Sequence, residues 1–369
     1  VTTIIGMSDD EPALPGVSVV LPVRNEGPHL RAAVRRVLAQ RYAGPLEVVL
    51  AVGPSADETA QIAAAIAAAD RRVRVVDNPT GRTAAGLNLA IAASSHDYIV
   101  RVDGHAEVPP DYVTRCVALL TETGAANAGG MMVPVGRTPF EQAVARAMSS
   151  PLGIGAERFH TGGKAGPAAT VYLGAFRRDA VEAVGGFDEE FIRAQDWELN
   201  YRLRAAGETV WFDPALGVDY RPRGSLRALA RQFHATGRWR RQVIARYRET
   251  ASLRYLAPPV TLVACVAGAV AAVVGAAGPR WMLAGAALPG GYLVLVTAGS
   301  AVVGRGMPAR ARAWLPVVLA TMHLTWGAGF LRGAPGGSRS GPGPRTVYPG
   351  SARAANTAPV GETPMRTER

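Results

Sequence analysis

Three apolar stretches without a single charged side chain, residues 256–278, 281–304 and 313–331, close a chain whose first two thirds are patterned as a soluble domain. Each approaches the roughly 20 residues that an α-helix needs to cross the hydrocarbon core of a bilayer. Trp281, Trp314 and Trp326 lie near stretch ends, where amphipathic rings favour the membrane interface. The alternative, three core helices of a soluble protein, would need a very large polar shell to cover them. Membrane helices are therefore expected. Pro258, Pro259, Pro289, Gly290 and Gly291 are compatible with this, since such residues are commoner in membrane helices than in soluble ones, and they are expected to kink the first two.

Charge follows the same division. The formal net charge of +11 is concentrated between Arg221 and Arg254, where ten Arg face one Glu immediately before the first apolar stretch. A basic segment at that place is attracted to anionic headgroups by about 1 kcal/mol per residue and marks the cytoplasmic side. The first inter-stretch connection holds only Arg280, whereas the second holds Arg305, Arg310 and Arg312, so the second is expected to be cytoplasmic and the first external. Three crossings then put the soluble domain in the cytoplasm and the C-terminus outside. Arg332, Arg339 and Arg345 favour the opposite side for the tail, and a re-entrant or interfacial segment would restore the count. A nucleic-acid partner is not expected: the basic run adjoins the membrane, and with Lys164 the only Lys, part of the Arg excess is compositional.

Cys116 and Cys265 support neither a disulfide framework nor a thiolate metal site. The apolar run Ile4–Ile5 before Asp9 is too brief for a signal peptide. These features divide the chain into an N-terminal extension (1–14), a catalytic domain that includes the basic juxtamembrane helix (15–250), a membrane region of about three helices (256–331) and a disordered tail rich in Gly, Pro and Arg (333–369).

Within the soluble part, the apolar run at 17–23 reads as a buried strand, followed by Leu30, Val34, Val37 and Leu38 at helical spacing. Strands at 46–52, 72–76 and 97–102 alternate with helices at 58–69 and 84–93, which implies an α/β fold with a mostly parallel sheet and ligands beyond the carboxyl ends of its strands. Polar, turn-forming segments stand at those ends: Pro22-Val-Arg-Asn-Glu26, Gly53 to Thr59, Asn78 to Arg82, and Asp103-Gly-His-Ala-Glu107. Any one is compatible with an ordinary turn, but four on one sheet edge point to a site. Neither a dinucleotide Gly-x-Gly-x-x-Gly fingerprint nor a P-loop is present.

If the backbone stays extended after the fourth strand, Asp103, His105 and Glu107 project to one side and can hold a divalent ion. Oxygen ligation suits Mg²⁺, and an imidazole favours Mn²⁺ or another transition ion. Gln195 and Asp196 open a helix in which Glu198 and Arg202 read as a surface i,i+4 pair. Asp196 and Glu198 lie about 200° apart around that helix. Asp196 is the better candidate for a general base, with a helix cap as the plain alternative.

Taken together these motifs resemble the family 2 inverting glycosyltransferases of GT-A fold, most closely the membrane-attached type of succinoglycan and related exopolysaccharide synthesis. The resemblance covers about residues 15–335 and also includes Leu87-Asn88, Gly185-Gly-Phe-Asp-Glu189, Gly237-Arg-Trp239 and the segment His323 to Gly333. It implies that Pro22, Arg24, Glu26 and Asp57 line a nucleotide pocket. By the same resemblance Asp103, with His105, would hold Mn²⁺ or Mg²⁺ on the donor diphosphate, and Asp196 would deprotonate the acceptor. Arg82, from its strand-end position, and Arg238 with Trp239 are expected near the diphosphate and acceptor. The implied donor is a nucleotide sugar, a UDP-sugar in the first instance, and the implied acceptor a polyprenyl-diphosphate-linked saccharide at the plasma membrane.

Three positions depart from the family pattern. His105 replaces the second aspartate of the metal motif, Val52 and Gly53 stand where the first of two paired acids belongs, and Ala235 replaces the Gln of a Gln-x-x-Arg-Trp pattern. The last, with so few membrane segments, argues against a processive polymer synthase. Two other readings stay open: a polyprenyl-phosphate sugar synthase, and a non-catalytic, membrane-anchored degenerate transferase.

Overall fold

A computed structural model describes residues 13–333; the expected N-terminal extension, the short apolar run at Ile4–Ile5 and the expected disordered tail fall largely or wholly outside them. Four strand-helix units come first: β1 Val17–Val23 with α1 Gly27–Leu38, β2 Leu46–Val52 with α2 Thr59–Ala69, β3 Val73–Asp77 with α3 Thr83–Ala93, and β4 Tyr98–Arg101 with α4 Tyr112–Thr123. Short strands and helices follow: β5 Asn127–Gly130, β6 Met132–Pro134, α5 Pro139–Met148, α6 Pro151–Ile154, α7 Arg158–Thr161 and β7 Gly166–Pro167. The domain is completed by β8 Tyr172–Arg177, α8 Arg178–Ala183, α9 Gln195–Ala205, β9 Val210–Phe212, β10 Val218–Tyr220 and α10 Leu226–Arg246.

The run at β1 is apolar at almost every position because both faces of that strand are covered. Val17, Val19, Leu21 and Val23 pack against α1 and α4, while Val20 joins Val49, Leu87 and Ile91 on the other face. In α1 the buried Leu30, Ala33, Val34 and Val37 form one helical stripe. The eight-stranded sheet has the order β3-β2-β1-β4-β8-β5-β9-β7. Its first four strands are parallel, and β8 runs antiparallel to both β4 and β5. A mostly parallel sheet with its strand ends on one edge is the expected architecture.

Three long apolar helical segments follow. Helix α11 Leu253–Ala277 carries Pro258 and Pro259 within it. The second begins as a 3-10 stretch, Arg280–Ala286, and continues as α12 Ala287–Val303, with the break just before Pro289. Gly268, Gly275 and Gly285 let α11 and this stretch approach so closely that a Cβ on Gly268 would stand 2.4 Å from the Gly285 carbonyl oxygen. That small-residue contact is the packing favoured inside lipid. The third comprises α13 Ala309–Arg312 and α14 Leu315–Arg332.

All three are long and apolar enough to cross a membrane, yet the third is 33% buried within the protein against 11% for each of the others. Leu315, Val318, Leu319 and Met322 pack with Ala143 and Val144 of α5 and with Leu229 and Phe233 of α10. Towards its other end, Gly237 of α10 meets the Trp326 backbone, where a Cβ would come within 2.1 Å of the carbonyl oxygen. Arg238 Nε donates to the Gly333 carbonyl at 2.8 Å, and Arg241 Nη1 to that of Phe330 at 3.2 Å. Helix α14 thus lies along the soluble domain for its whole length.

Candidate active site

The first two strand-end motifs are built into each other. Asn25 takes a left-handed conformation, with φ of 55°, which turns the chain sharply after β1. Its backbone N–H donates to Ser55 Oγ at 3.0 Å, and its side-chain oxygen accepts from the Ala56 N–H at 2.8 Å. Asp57 closes the joint: Oδ2 accepts from the Gly27 N–H at 2.9 Å, and Oδ1 accepts from the backbone N–H and hydroxyl of Thr59. Those bonds hold its carboxyl below the usual range, the Thr59 hydroxyl contributing most. Asp57, expected to line the nucleotide pocket, is instead spent on fixing the turn that presents Arg24 and Glu26.

What that turn presents is a cavity of about 180 Å³ at the carboxyl ends of β1, β3 and β4. Pro22, Arg24, Glu26, Arg82, Asp103 and His105 all line it, as does the buried Gln195. The backbone does not stay extended after β4. The Ala106 N–H returns to the Asp103 carbonyl at 2.9 Å, closing a turn whose Gly104 has no room for a Cβ, which would stand 2.9 Å from a Val23 methyl and 3.0 Å from Cγ of Glu26. The turn separates the three side chains expected to act together. His105 Nδ1 lies 2.8 Å from Glu26 Oε1, and Glu107 pairs with Arg36 at 2.9 Å. The hydrogen bond to Glu26 raises the His105 pKa, against the opposing effect of burial. Among the described residues no cluster of three or more His, Cys, Asp or Glu is assembled for a metal.

Asp103 is tied to Asp196 by a residue that the sequence reading passed over. Arg101, 5% exposed at the end of β4, donates from Nη2 to Asp103 Oδ1 at 3.1 Å and from Nη1 to Asp196 Oδ1. Burial disfavours the guanidinium, and the two carboxylates overcome that and hold it protonated. Asp103 Oδ2 has no hydrogen-bond partner among the described residues, and its side chain is 23% exposed. A single carboxylate with a free oxygen at a cavity wall suits a divalent ion that completes its shell with phosphate oxygens and water.

Asp196 sits in the first turn of α9 and is not its cap: the N-cap is Ala194, whose φ of 63° is strained for a residue with a Cβ. The side chain is 32% open, and that surface faces a second cavity, of about 270 Å³. Burial raises the Asp196 pKa, with the Asp103 charge adding and Arg101 opposing. Trp239 lines the same cavity. Arg238 does not, because its guanidinium is turned to the end of α14. Glu198 and Arg202 form a pair as expected, but in the interior: Glu198 is fully buried and also accepts from the Tyr247 hydroxyl at 2.7 Å.

Two further motifs bind one another. Asn88 accepts from the Phe187 N–H at 2.8 Å and donates to its carbonyl at 2.9 Å, joining Leu87-Asn88 to the Gly185–Glu189 loop. Arg246 of α10 pairs with Asp188 and Glu190 in that loop, at 3.4 and 3.1 Å. Both hold the segment leading to Asp196.

Residues 18–185 match the family described as glycosyl transferase family 2. The succinoglycan biosynthesis protein ExoA of Rhizobium meliloti is 34% identical over 331 residues, which cover 88% of this chain and 97% of that protein. The glycosyltransferase AglE of Haloferax volcanii is 29% identical over 206 residues, 54% of this chain and 64% of AglE. Among solved structures, the mannosyltransferase PcManGT of Pyrobaculum calidifontis, in complex with GDP-Man and Mn²⁺, superposes with a TM-score of 0.57 at 20% identity, over 87% of this chain and 88% of that one.

Proposed function

The chain belongs to glycosyl transferase family 2 and is a glycosyltransferase of GT-A fold, and from that premise we propose that it adds one sugar, with inversion, to a polyprenyl-diphosphate-linked saccharide at the plasma membrane. The observation that supports this most is the pair of cavities divided by Arg101, one reaching Asp103 at the strand ends and the other reaching Asp196 beneath the apolar helices. In this reading the nucleotide sugar occupies the strand-end cavity, its diphosphate near Arg24, Arg82 and Asp103. The family relationship to ExoA favours an exopolysaccharide or envelope glycan as the product.

Asp103 is the residue suited to hold Mn²⁺ or Mg²⁺, with His105 available if it leaves Glu26; the ion would neutralise charge on the departing nucleoside diphosphate. Asp196 takes the proton of the acceptor hydroxyl as its oxygen attacks the anomeric carbon from the face opposite the leaving group. One such displacement inverts the centre. The domain division proposed is a catalytic unit over 15–250 followed by the membrane-associated helices.

Turnover of UDP-, GDP- and dTDP-sugars by the detergent-solubilised protein, with and without Mn²⁺ or Mg²⁺, tests the reading. One donor is expected to be consumed in a metal-dependent reaction, and Asp103→Ala is expected to lower that rate at least about 100-fold. Metal-independent turnover, or full activity in the variant, would contradict the assignment. Turnover of none, with lipid-linked acceptors supplied, would favour the non-catalytic alternative.

The membrane topology proposed has two crossings, α11 and α12, with α14 on the cytoplasmic face. Helix α14 runs beside α10, which carries Arg227, Arg231, Arg238 and Arg241, and a row of guanidinium groups is costly in hydrocarbon. This arrangement leaves Arg280 alone outside and puts Arg305, Arg310, Arg312 and Arg332 inside, removing the conflict over the C-terminus. A cysteine introduced at Ser351 is expected to react with a membrane-impermeant maleimide in inverted vesicles and to be protected in intact cells. The reverse pattern would restore the third crossing.

A further inference from the structure

The cavity that reaches Asp196 does not end inside the soluble domain. A neighbouring cavity of about 250 Å³ shares Ile154, Tyr255 and Trp326 with it and continues between α11, α12 and α14. Its walls are formed by Leu152, Pro258, Thr261, Tyr292, Leu295 and His323. His323 is engaged locally, its Nε2 lying 2.7 Å from the Leu152 carbonyl oxygen and its Nδ1 3.2 Å from the Tyr292 hydroxyl. Leu295, 56% exposed, stands on the face of α12 that a bilayer would cover.

At the junction the chemistry changes from apolar to cationic. The Arg240 guanidinium stacks on Tyr255 at 4.0 Å and on Trp197 at 4.8 Å, and Arg254 lies against Tyr255 at 4.6 Å. Arg254 is paired with Glu157. Arg240 has no ion pair among the described residues, and its buried Nη1 has no hydrogen-bond partner; the buried Trp326 Nε1 is likewise unmatched. Burial lowers the Arg240 pKa, with Tyr255 and Glu157 opposing and the Arg254 charge adding. Unsatisfied buried donors of this kind cost about 1–3 kcal/mol each, more for a charged group, and call for an acceptor.

The order along the two cavities is therefore a carboxylate, then a buried guanidinium with an unmatched donor, then an apolar groove opening toward lipid. A polyprenyl-diphosphate-linked saccharide has the same order: a sugar hydroxyl, an anionic diphosphate and an isoprenoid chain. We propose that the lipid carrier of the acceptor binds along this track, its diphosphate received by Arg240 and the Trp326 indole N–H at the Tyr255 junction, its chain lying between α11, α12 and α14 against Thr261 and Leu295. This rests on the acceptor class proposed above and assigns it a place. The tail is held by apolar contact, and the anion fixes how far the saccharide extends toward Asp196.

The test is photolabelling of the full-length protein in nanodiscs with a polyprenyl phosphate carrying a diazirine on its chain, read by peptide mapping. Label is expected on the α11 and α12 peptides that contain Thr261 and Leu295, competed by unlabelled long-chain polyprenyl phosphate. Thr261→Trp, which fills the groove, and Arg240→Gln are each expected to lower competed labelling about tenfold, a change of about 1.4 kcal/mol. Label spread over the outer helix faces without competition overturns the proposal, and the wild-type map decides this even if a variant fails to fold. A wild type that lengthens lipid-linked saccharides but labels diffusely defeats the track alone; one that lengthens none defeats the acceptor reading beneath it.

Discussion

Asp196→Asn is expected to lower the turnover number for sugar transfer by about 10²–10⁴-fold, the range that a positioned general base contributes, while changing the donor KM little. Asp196 opens onto the cavity proposed for the acceptor and not onto the strand-end cavity, so removing its charge leaves the proposed donor contacts in place. The amide is nearly isosteric and still accepts from Arg101, which keeps the geometry. The wild-type pH profile carries the second half of the prediction. A base must be ionised to accept a proton, so activity rises with pH through the Asp196 pKa. Burial and the nearby Asp103 charge raise that pKa above the ordinary aspartate value of about 4. The acid limb is therefore expected at higher pH than for a solvated carboxylate, and the residual rate of the variant is expected to lack that limb. A variant within about threefold of wild type would move the base elsewhere.

The carboxylate was legible in the sequence, and its partner was not, for a physical reason. Strand ends and turn residues can be read from local chemistry, so Pro22, Arg24, Glu26, Arg82, Asp103 and His105 were all expected at one sheet edge and do share one cavity. Arg101 is the last residue of β4 and falls within the 97–102 run, where period and propensity register only strand. Its charge within an otherwise apolar run was the available signal, because a cation there needs a buried counter-charge. Asp57 and Arg238 were legible as motif members, but which way each is engaged depends on Gly27 and Gly333, contacts that no local pattern encodes. The first strands were readable as continuous apolar runs buried on both faces. Strands β5 and β8 were not: Asn127-Ala-Gly-Gly130 has almost no side-chain signal, and β8 is defined by antiparallel pairing between β4 and β5. The lack of charged residues likewise marked all three apolar segments without showing that the apolar face of α14 meets α5 and α10.

Arg101→Met is expected to destabilise the protein by about 2–3 kcal/mol, because it removes the buried shared cation and leaves two partly exposed carboxylates facing each other. For a domain of this size that corresponds to an apparent Tm lower by roughly 10 °C in a detergent melt. The loss should depend on pH. With Arg101 gone, Asp196 loses the charge that opposes the effect of burial, so its folded pKa rises further above the unfolded one. A group raised in this way favours the folded state below its unfolded pKa and opposes it as pH increases through the folded value. The variant is therefore expected to be closest to wild type in mild acid and furthest from it near neutrality. Asp196→Asn combined with Arg101→Met removes one of the opposed charges and should recover part of the stability without recovering transfer. Additive losses in the double variant would mean that Arg101 does not couple the two aspartates, and the separation of the cavities would then need another cause. A divalent ion gives an independent check. If Asp103 holds it, saturating Mn²⁺ or Mg²⁺ should supply positive charge beside the unpaired carboxylates and raise the Tm of Arg101→Met more than that of the wild type, with no substrate present.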